Sequence, residues 1–254
     1  MSSRDMDSRR IVAEVNSLSA GFGGRSILED IHLEVHEGEI LVILGKSGCG
    51  KSTLLKHMIG LLEPSAGTIR LFGTDILAAD EPELETVLKK VGVLFQYGAL
   101  LGSLFINENV AIPLDQHTNL PRPIIDRLVS SKLSLVGLGG TEYLLPAELS
   151  GGMRKRAALA RAIVLDPAIL FADEPSAGLD PMTTARLDEL LLNLREELKM
   201  TMVVVTHELA SIHRIADRIA FLEDRKILYT GPVSEAKHCG VEVVEEFFRR
   251  GMVA

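Results

Sequence analysis

A glycine-rich stretch behind a run of apolar residues constrains this chain more than any other feature. Ile40–Leu44 is a continuous apolar run, which predicts a strand buried on both faces, and Lys51–Leu62 has the pattern of a helix. The residues between them match G-x-x-x-x-G-K-S, a loop whose backbone N–H groups turn inward around phosphate oxygens. We call this predicted phosphate-binding segment the phosphate loop. Its residues are Gly45, Lys46, Ser47, Gly48, Cys49, Gly50, Lys51, Ser52 and Thr53.

Two side chains of the phosphate loop have the chemistry that a nucleoside triphosphate requires. The Lys51 ammonium can reach the β- and γ-phosphates, and the Ser52 hydroxyl can ligate Mg²⁺. The start of the following helix adds unpaired N–H donors and a partial positive charge. The alternative is a glycine-rich turn that matches by chance, and its position between a buried strand and a helix argues against it. The predicted ligands are ATP and Mg²⁺.

Apolar runs alternate with helical patterns along much of the chain. This alternation predicts an α/β core around a mainly parallel sheet. Ile11–Leu18 and Ile27–Val35 also resemble strands, and the second alternates apolar with polar residues, as a half-buried antiparallel strand does. The other predicted buried strands are Val91–Phe95, Ala168–Ala172 and Met202–Thr206.

A helical block interrupts the alternation and predicts an inserted subdomain. Residues 106–136 have a helical pattern that we expect three prolines to break, namely Pro113, Pro121 and Pro123. A further helix is predicted over Gly151–Leu165, with apolar residues on one side. The residues predicted on its opposite, basic side are Arg154, Lys155, Arg156 and Arg161.

Composition excludes several classes of protein. The net charge of the 254-residue chain is −8, which argues against nucleic acid as the main partner, because phosphate-backbone binders carry a basic excess. The longest apolar runs have the length of a strand, whereas a spanning helix needs about 20 apolar residues. The two cysteines, Cys49 and Cys239, are far apart and predict no disulfide framework.

An acidic pair follows the strand predicted at Ala168–Ala172. Asp173 at the strand end can hold Mg²⁺, and on an extended chain Glu174 would point the other way, towards the attacking water. One carboxylate for the metal and one for the water are what ATP hydrolysis requires. The alternative is a surface pair that ends a strand.

Two further polar residues follow predicted buried strands. His207 comes after Met202–Thr206 and is a candidate contact to the γ-phosphate, although a lone histidine is more often a structural residue. Gln96 ends Val91–Phe95, where its amide can join the metal and the attacking water. A functional role is favoured for both residues because the phosphate loop and the acidic pair also indicate ATP hydrolysis.

The segment Leu149–Met153, Leu-Ser-Gly-Gly-Met, precedes the basic helix and is called here the signature segment. A serine and two glycines at a helix start form a second candidate anion site, from a hydroxyl, free N–H groups and the helix dipole. In isolation, an ordinary helix N-cap explains the same residues. The phosphate loop already accounts for a nucleotide within its own fold, so the second anion site needs another explanation.

Together these motifs resemble the nucleotide-binding subunits of ABC transporters, from about Ile11 to Phe248. The matching elements occur in family order and include Phe22, the phosphate loop, Gln96, the signature segment, Asp173-Glu174, the loop Ser176–Asp180 and His207. The resemblance implies a single domain over 9–250. It consists of a P-loop NTPase (RecA-like) core with an antiparallel β subdomain, about 9–96 and 166–250, and an inserted helical subdomain, about 97–165.

The same resemblance implies roles for the candidate residues. Phe22 would stack on adenine, and the catalytic groups would be Glu174, His207, Gln96 and Lys51. Ser52, Gln96 and Asp173 would hold the metal. The family forms head-to-tail homodimers, in which Ser150, Gly151 and Gly152 of one copy complete the nucleotide site of the other. This arrangement would explain the second anion site.

One departure narrows the resemblance. Most family members have Gln after the double glycine, whereas this chain has Met153. Met153 with its surroundings, and the runs Val93–Leu100 and Asn107–Leu114, are similar to the ATPases of bacterial Mla/MCE-type phospholipid transport systems. That likeness implies an integral-membrane permease, an MCE-type lipid-binding protein in the periplasm, and a peripheral location on the cytoplasmic side of the inner membrane.

Other functions stay open at this point. A soluble ABC ATPase acting on ribosomes or DNA usually has tandem domains or coiled-coil insertions, which this sequence lacks. A P-loop kinase or GTPase would not carry the signature segment, and an ABC transporter for another substrate would look much the same. Cys49 has two interpretations, a thiol activated near a helix start and a small filler side chain.

Overall fold

The chain folds around two β-sheets. The computed structural model describes residues 9–250, and residues 1–8 and 251–254 lie outside the described part. The strands, in chain order, are β1 Ile11–Phe22, β2 Arg25–His36, β3 Ile40–Leu44, β4 Ala66–Leu71, β5 Thr74–Asp75, β6 Val91–Leu94, β7 Ile169–Asp173, β8 Thr201–Val205, β9 Arg218–Glu223 and β10 Lys226–Pro232. The helices are α1 Lys51–Met58, α2 Glu81–Leu88, α3 Ile106–His117, α4 Arg122–Leu135, α5 Gly151–Ala162, α6 Pro181–Leu198, α7 Leu209–Ile215 and α8 Glu242–Arg250.

The larger sheet brings loops that are distant in sequence to one edge. Its strand order is β10-β9-β3-β8-β7-β6, and every neighbouring pair except β9 and β10 is parallel. Val205 of β8 lies opposite Ile43 on one side and Asp173 on the other. The phosphate loop, Glu174 and His207 therefore follow the carboxyl ends of three adjacent strands. Open parallel sheets bind their ligands at this edge.

Strand β3 is shared by two hydrophobic cores. All five of its residues are buried. Ile40, Val42 and Leu44 pack in a core that contains the helices of the insert, whereas Leu41 and Ile43 pack with the antiparallel sheet β2-β1-β4-β5. Successive side chains of a strand point to opposite faces, so one strand contributes to both cores. The phosphate loop is thus anchored to a strand that is buried along its whole length.

Three helices, α3, α4 and α5, separate β6 from β7 in the chain. The predicted break at Pro113 is wrong, because Pro113 lies inside α3. A proline in a helix interior costs about 3 kcal/mol, and the complete burial of Ile106 and Val110 on one face of α3 offsets this cost. The chain turns before Pro121 instead, and Pro123 lies in the first turn of α4, where a missing N–H is tolerated.

Two helices are shorter than predicted. Helix α1 ends at Met58 rather than Leu62, because Gly60 adopts a left-handed conformation with φ of 73°. Helix α5 ends at Ala162 rather than Leu165. The predicted limits of the inserted subdomain, about 97–165, stay a prediction.

One basic residue of α5 does not lie where the sequence pattern placed it. Lys155 was expected on the basic side of the helix, but it is only 7% exposed. Its ammonium donates hydrogen bonds to the backbone carbonyls of Gln96 and Glu174. Those two acceptors compensate the cost of burying the charge. Periodicity alone could not reveal acceptors that come from other parts of the chain.

Over residues 9–250 the architecture is α/β, with a mainly parallel sheet, an antiparallel sheet and an inserted group of helices. Within the same range, no helix has both the length and the apolar character needed to cross a bilayer.

Candidate nucleotide-binding site

The phosphate loop is tightly constrained by two of its glycines. Gly45 has φ of 151°, and a Cβ atom there would lie 2.0 Å from the Leu222 carbonyl oxygen. Gly50 has φ of 108°, and a Cβ atom would come within 3.1 Å of the side chains of Ile27 and Leu28. Only glycine fits both the backbone conformation and the space. The neighbouring strands therefore fix the shape of the loop at both ends.

Helix α1 starts with free N–H groups at the end of the phosphate loop. Its N-cap is Gly50, and no side chain of the described residues caps it. The Lys51 ammonium folds back over the loop and donates to the carbonyls of Gly45, at 2.9 Å, and Lys46, at 3.0 Å. The loop thus combines N–H donors, the positive end of the helix dipole and a cation, which is the chemistry of a phosphate site.

Ser52 and Asp173 form the part of the site suited to a metal ion. The Ser52 hydroxyl donates to Asp173 Oδ1 at 2.7 Å, across 121 residues of sequence. Asp173 is buried at the end of β7. A hydroxyl and a carboxylate are hard oxygen ligands, the kind that Mg²⁺ prefers. Gln96 lines the same cavity as Ser52, so its amide oxygen is available to the same ion.

Glu174 has an unusual backbone conformation. Its φ is 45°, in the left-handed region that non-glycine residues rarely adopt. The expectation of an extended chain through Asp173 and Glu174 is therefore wrong, since β7 ends at Asp173 and the chain turns there. The strain of such a residue costs about 1–3 kcal/mol, and residues of this kind cluster at functional sites.

The Glu174 carboxylate has one paired and one unpaired oxygen. Oε1 accepts a hydrogen bond from His207 Nδ1 at 2.9 Å. Oε2 is buried and has no hydrogen-bond partner among the described residues. An unpaired buried acceptor is costly, so such a group in a ligand cavity marks a place where a hydrogen-bond donor binds. Glu174 thus keeps one acceptor without a protein partner, in a residue that lines the cavity described below.

A cavity of about 880 Å³ brings most of the predicted residues together. Lys46–Thr53, Gln96, Glu174 and His207 line it. Phe22 does not line it; this half-exposed residue pairs with Arg25, which does. Stacking of Phe22 on adenine stays a prediction.

Six residues of the cavity wall were missed at the sequence level. They are Arg25, Ser26, Ile27, Glu223, Asp224 and Arg225. These residues lie at the turns β1–β2 and β9–β10, which the two sheets bring beside the phosphate loop. Glu223 forms an ion pair with Lys46, which raises the pKa of the Lys46 ammonium. No motif in the sequence links residues so far apart.

Lys155 was also missed as part of the site. It donates hydrogen bonds to the backbone carbonyls of Gln96 and Glu174, two residues that line the cavity. Burial lowers the pKa of its ammonium, and the nearby carboxylates of Glu174 and Asp173 oppose that shift.

The signature segment lies at a different cavity, of about 610 Å³, which the phosphate loop does not line. Ser150, Gly151 and Gly152 line it together with Asp180. The Ser150 hydroxyl accepts a hydrogen bond from Met153 N at 3.3 Å, so it caps α5. The structure does not bring these residues to the chain's own phosphate loop.

The surroundings of Cys49 favour its neutral thiol form. Burial raises the pKa of its thiol, and the nearby Lys51 ammonium opposes this effect only in part. This environment favours the second interpretation, a small filler side chain, and the reactivity of Cys49 stays a prediction. Because the thiolate is the reactive form, we expect iodoacetamide at neutral pH to alkylate Cys49 more slowly in the folded protein than in urea.

Mass spectrometry of the labelled peptides measures this difference, and a Cys49→Ser variant identifies the signal. Faster labelling of Cys49 in the folded protein than in urea would contradict it.

A buried strand, a phosphate loop, a helix and an acidic residue bonded to the loop serine define a nucleotide-binding cassette of the P-loop class. The chain belongs to the ABC transporter family, whose model matches residues 28–177.

Characterised relatives cover most of the chain. It is 44% identical over 234 residues to the "Probable ribonucleotide transport ATP-binding protein mkl" of Mycobacterium tuberculosis. That match covers 92% of this chain, which spans 65% of the length of the mycobacterial protein. This chain is also 43% identical over 220 residues to the "Intermembrane phospholipid transport system ATP-binding protein MlaF" of Escherichia coli. That match covers 87% of this chain and 82% of the Escherichia coli protein.

Solved structures confirm the predicted fold class. The ATP-binding cassette MJ0796, solved as a dimer in a post-hydrolysis state bound to ADP and Pi, superposes with a TM-score of 0.79 at 29% identity. The match covers 87% of this chain and 98% of that one.

Proposed function

We propose that the chain hydrolyses ATP as the motor subunit of a transporter that moves phospholipid between bacterial membranes. The observation that carries the hydrolytic part is the unpaired Oε2 of Glu174, a residue that lines the cavity of the phosphate loop. A carboxylate at this place can accept the proton of a water that attacks the γ-phosphate. The predicted fold and the family membership supply the rest of the context.

The residues present fit ATP with Mg²⁺. The phosphate loop would hold the phosphates, and Ser52, Asp173 and Gln96 would hold the ion, which neutralises developing charge on the phosphates when bound. His207 keeps the Glu174 carboxylate oriented through its hydrogen bond to Oε1. It is 64% exposed on its side chain, so it can also reach a phosphate oxygen.

The proposed active unit is a homodimer. Ser150 and Gly151 are exposed at the start of α5, away from the chain's own phosphate loop. A second copy packed head to tail would place them against its nucleotide, where the helix dipole favours the γ-phosphate. The related cassette MJ0796 was solved as a dimer, which supports this arrangement.

The proposed permease contact is the loop Tyr97–Leu104, which we call the coupling loop. It exposes large apolar side chains, with Tyr97 89% and Leu101 50% exposed. Buried Asn109 holds this loop through hydrogen bonds to backbone atoms of Leu101 and Leu104. Because the loop directly follows Gln96, movement at the nucleotide site passes straight to it. Apolar groups that a rigid backbone keeps in solvent suit a protein partner.

We expect the double variant Tyr97→Ala, Leu101→Ala to lower transport at least fivefold and to change ATPase activity less than twofold. The substitutions remove contact area for the permease but touch no group that lines the nucleotide cavity. Lipid transfer and phosphate release are measured in the same proteoliposomes, which contain the chain and the permease that co-purifies with it.

Leu61→Ala serves as the control, because Leu61 is similarly exposed, at 57%, and lies after α1, outside the insert. Transport that survives the double variant would place the coupling surface elsewhere.

The same proteoliposomes test the substrate. Phospholipid is proposed because the chain resembles Mla/MCE-type ATPases in its motifs and is 43% identical to MlaF. The name of the mycobacterial relative makes ribonucleotide the second candidate. ATP-dependent transfer of a fluorescent phospholipid supports the first, and uptake of labelled ribonucleotide without lipid transfer supports the second.

The proposed partners are an integral-membrane permease and an MCE-type lipid-binding protein, with the chain on the cytoplasmic face of the inner membrane. Co-purification with ribosomes or DNA, and without a permease, would contradict this assignment.

A further inference from the structure

Lys155 is a buried cation to which no motif assigns a role. It lies on α5, and its exposure is 7%. Its side chain is near the carboxylates of Glu174 and Asp173, both of which favour its charged form. It forms no ion pair within 4.0 Å among the described residues, and its hydrogen bonds go to backbone carbonyls. The chain thus buries a positive charge against the backbone of two proposed site residues.

The two acceptors belong to different parts of the site. The Gln96 carbonyl lies between β6 and the coupling loop, and the Glu174 carbonyl follows β7. One ammonium therefore fixes these two backbones relative to each other. It also binds the carbonyl of the residue that adopts φ of 45°. A hydrogen bond from a charged donor to that carbonyl offsets part of the strain of the left-handed conformation.

Lys155 also connects these residues to the signature segment. It lies four residues after Gly151, which is about one helical turn. The start of α5, Ser150 and Gly151, is the part of the chain that a second copy would contact. A short and rigid path thus runs from the proposed dimer contact, through Lys155, to the carboxylate of the same subunit.

We propose that Lys155 is a positioning residue that sets Glu174 and Gln96 together in the geometry for hydrolysis. Lys155 does not line the nucleotide cavity and acts through the two backbones that it binds. This inference rests on the proposed roles of Glu174 and Gln96.

The test compares Lys155→Met, Lys155→Arg and Lys132→Met in the full-length chain. Methionine keeps the length and apolar stem but removes the charge and the hydrogen-bond donors. Arginine keeps the charge and the donors. Lys132 is a matched control, because it is 8% exposed, pairs with Asp166 and does not line the nucleotide cavity. ATP hydrolysis gives kcat and KM, and thermal unfolding gives Tm.

We expect Lys155→Met to lower kcat about 10-fold or more and to change KM for ATP less than twofold. Lys155→Arg should recover at least about a third of the wild-type kcat. Lys132→Met should lower Tm and leave kcat unchanged. A merely structural lysine would give the same pattern at both positions.

Three results would overturn the proposal: an unchanged kcat in Lys155→Met, equal losses of kcat in Lys155→Met and Lys132→Met, or no recovery with arginine. If Lys155→Met does not fold, Lys155→Gln replaces it, and equal kcat values for the Gln and Arg variants would overturn the proposal. Glu174→Gln is measured in parallel. If Glu174→Gln hydrolyses ATP at the wild-type rate, the proposed role of Glu174 is contradicted. If Glu174→Gln is inactive but Lys155→Met is fully active, only the proposed role of Lys155 is contradicted.

Discussion

Replacing Glu174 with Gln is expected to lower kcat for ATP hydrolysis by about 10²- to 10⁴-fold while ATP binding is retained. The amide keeps the size of the side chain and can still bond to His207, but it cannot accept a proton from water. The buried Oε2 atom, unpaired among the described residues, is the group that this change disables. Phosphate release measures hydrolysis, and calorimetry measures the Kd for ATP.

The same variant should accumulate as a dimer when ATP is present, because the step that ends the closed state is blocked. Size-exclusion chromatography with ATP shows this directly. Adding Ser150→Arg should abolish the dimer, since an exposed large side chain at the start of α5 would block a facing nucleotide. Glu208→Gln is the matched control, one residue beyond His207 and outside the cavity lining. Hydrolysis at the wild-type rate in Glu174→Gln would exclude Glu174 as the water-activating group.

Replacing Lys51 with Met is expected to raise the Kd for ATP about 100-fold. Hydrogen bonds from a charged group contribute about 1.5–3 kcal/mol each, and a tenfold change in Kd corresponds to about 1.4 kcal/mol. The Lys51 ammonium is held inside the phosphate loop by two carbonyls, so it is already placed for the phosphates. Little conformational entropy is then lost when ATP binds.

Lys56→Met controls for this change, because Lys56 lies on the same helix and is exposed. Calorimetric titration with ATP compares the two variants with the wild-type chain. If both substitutions change the Kd by the same factor, the effect comes from net charge and not from a contact with phosphate.

The fold and the centre of the site could be predicted because their signals are local. The buried strand, the glycines and Lys51 lie within 15 residues of sequence, and backbone sterics connect that pattern directly to a phosphate-binding geometry. Asp173 ends a strand, and its position near Ser52 could be anticipated because parallel strands end at one edge.

The rest depends on contacts between distant segments. Arg25 and Glu223 reach the cavity only because two sheets pack together, and no spacing in the sequence encodes that arrangement. Lys155 was predicted on the exposed side of its helix because helical periodicity shows only which side of a helix is polar. It does not show that backbone carbonyls from other segments can accept hydrogen bonds from one buried side chain. Glu174 was expected to continue the extended strand. The sequence of residue types does not reveal a left-handed backbone at a residue other than glycine.

The position of strand β3 between two cores affects which substitutions the chain can accept during evolution. Residues 40, 42 and 44 belong to the core on the side of the insert, and residues 41 and 43 belong to the core on the side of the antiparallel sheet. A substitution at an even position is therefore compensated by neighbours on one side only. The side of the proposed permease contact can therefore change without altering the core on the opposite side. The glycines that constrain the phosphate loop contact Leu222, Ile27 and Leu28, which lie outside the insert, so changes in the insert leave these contacts in place.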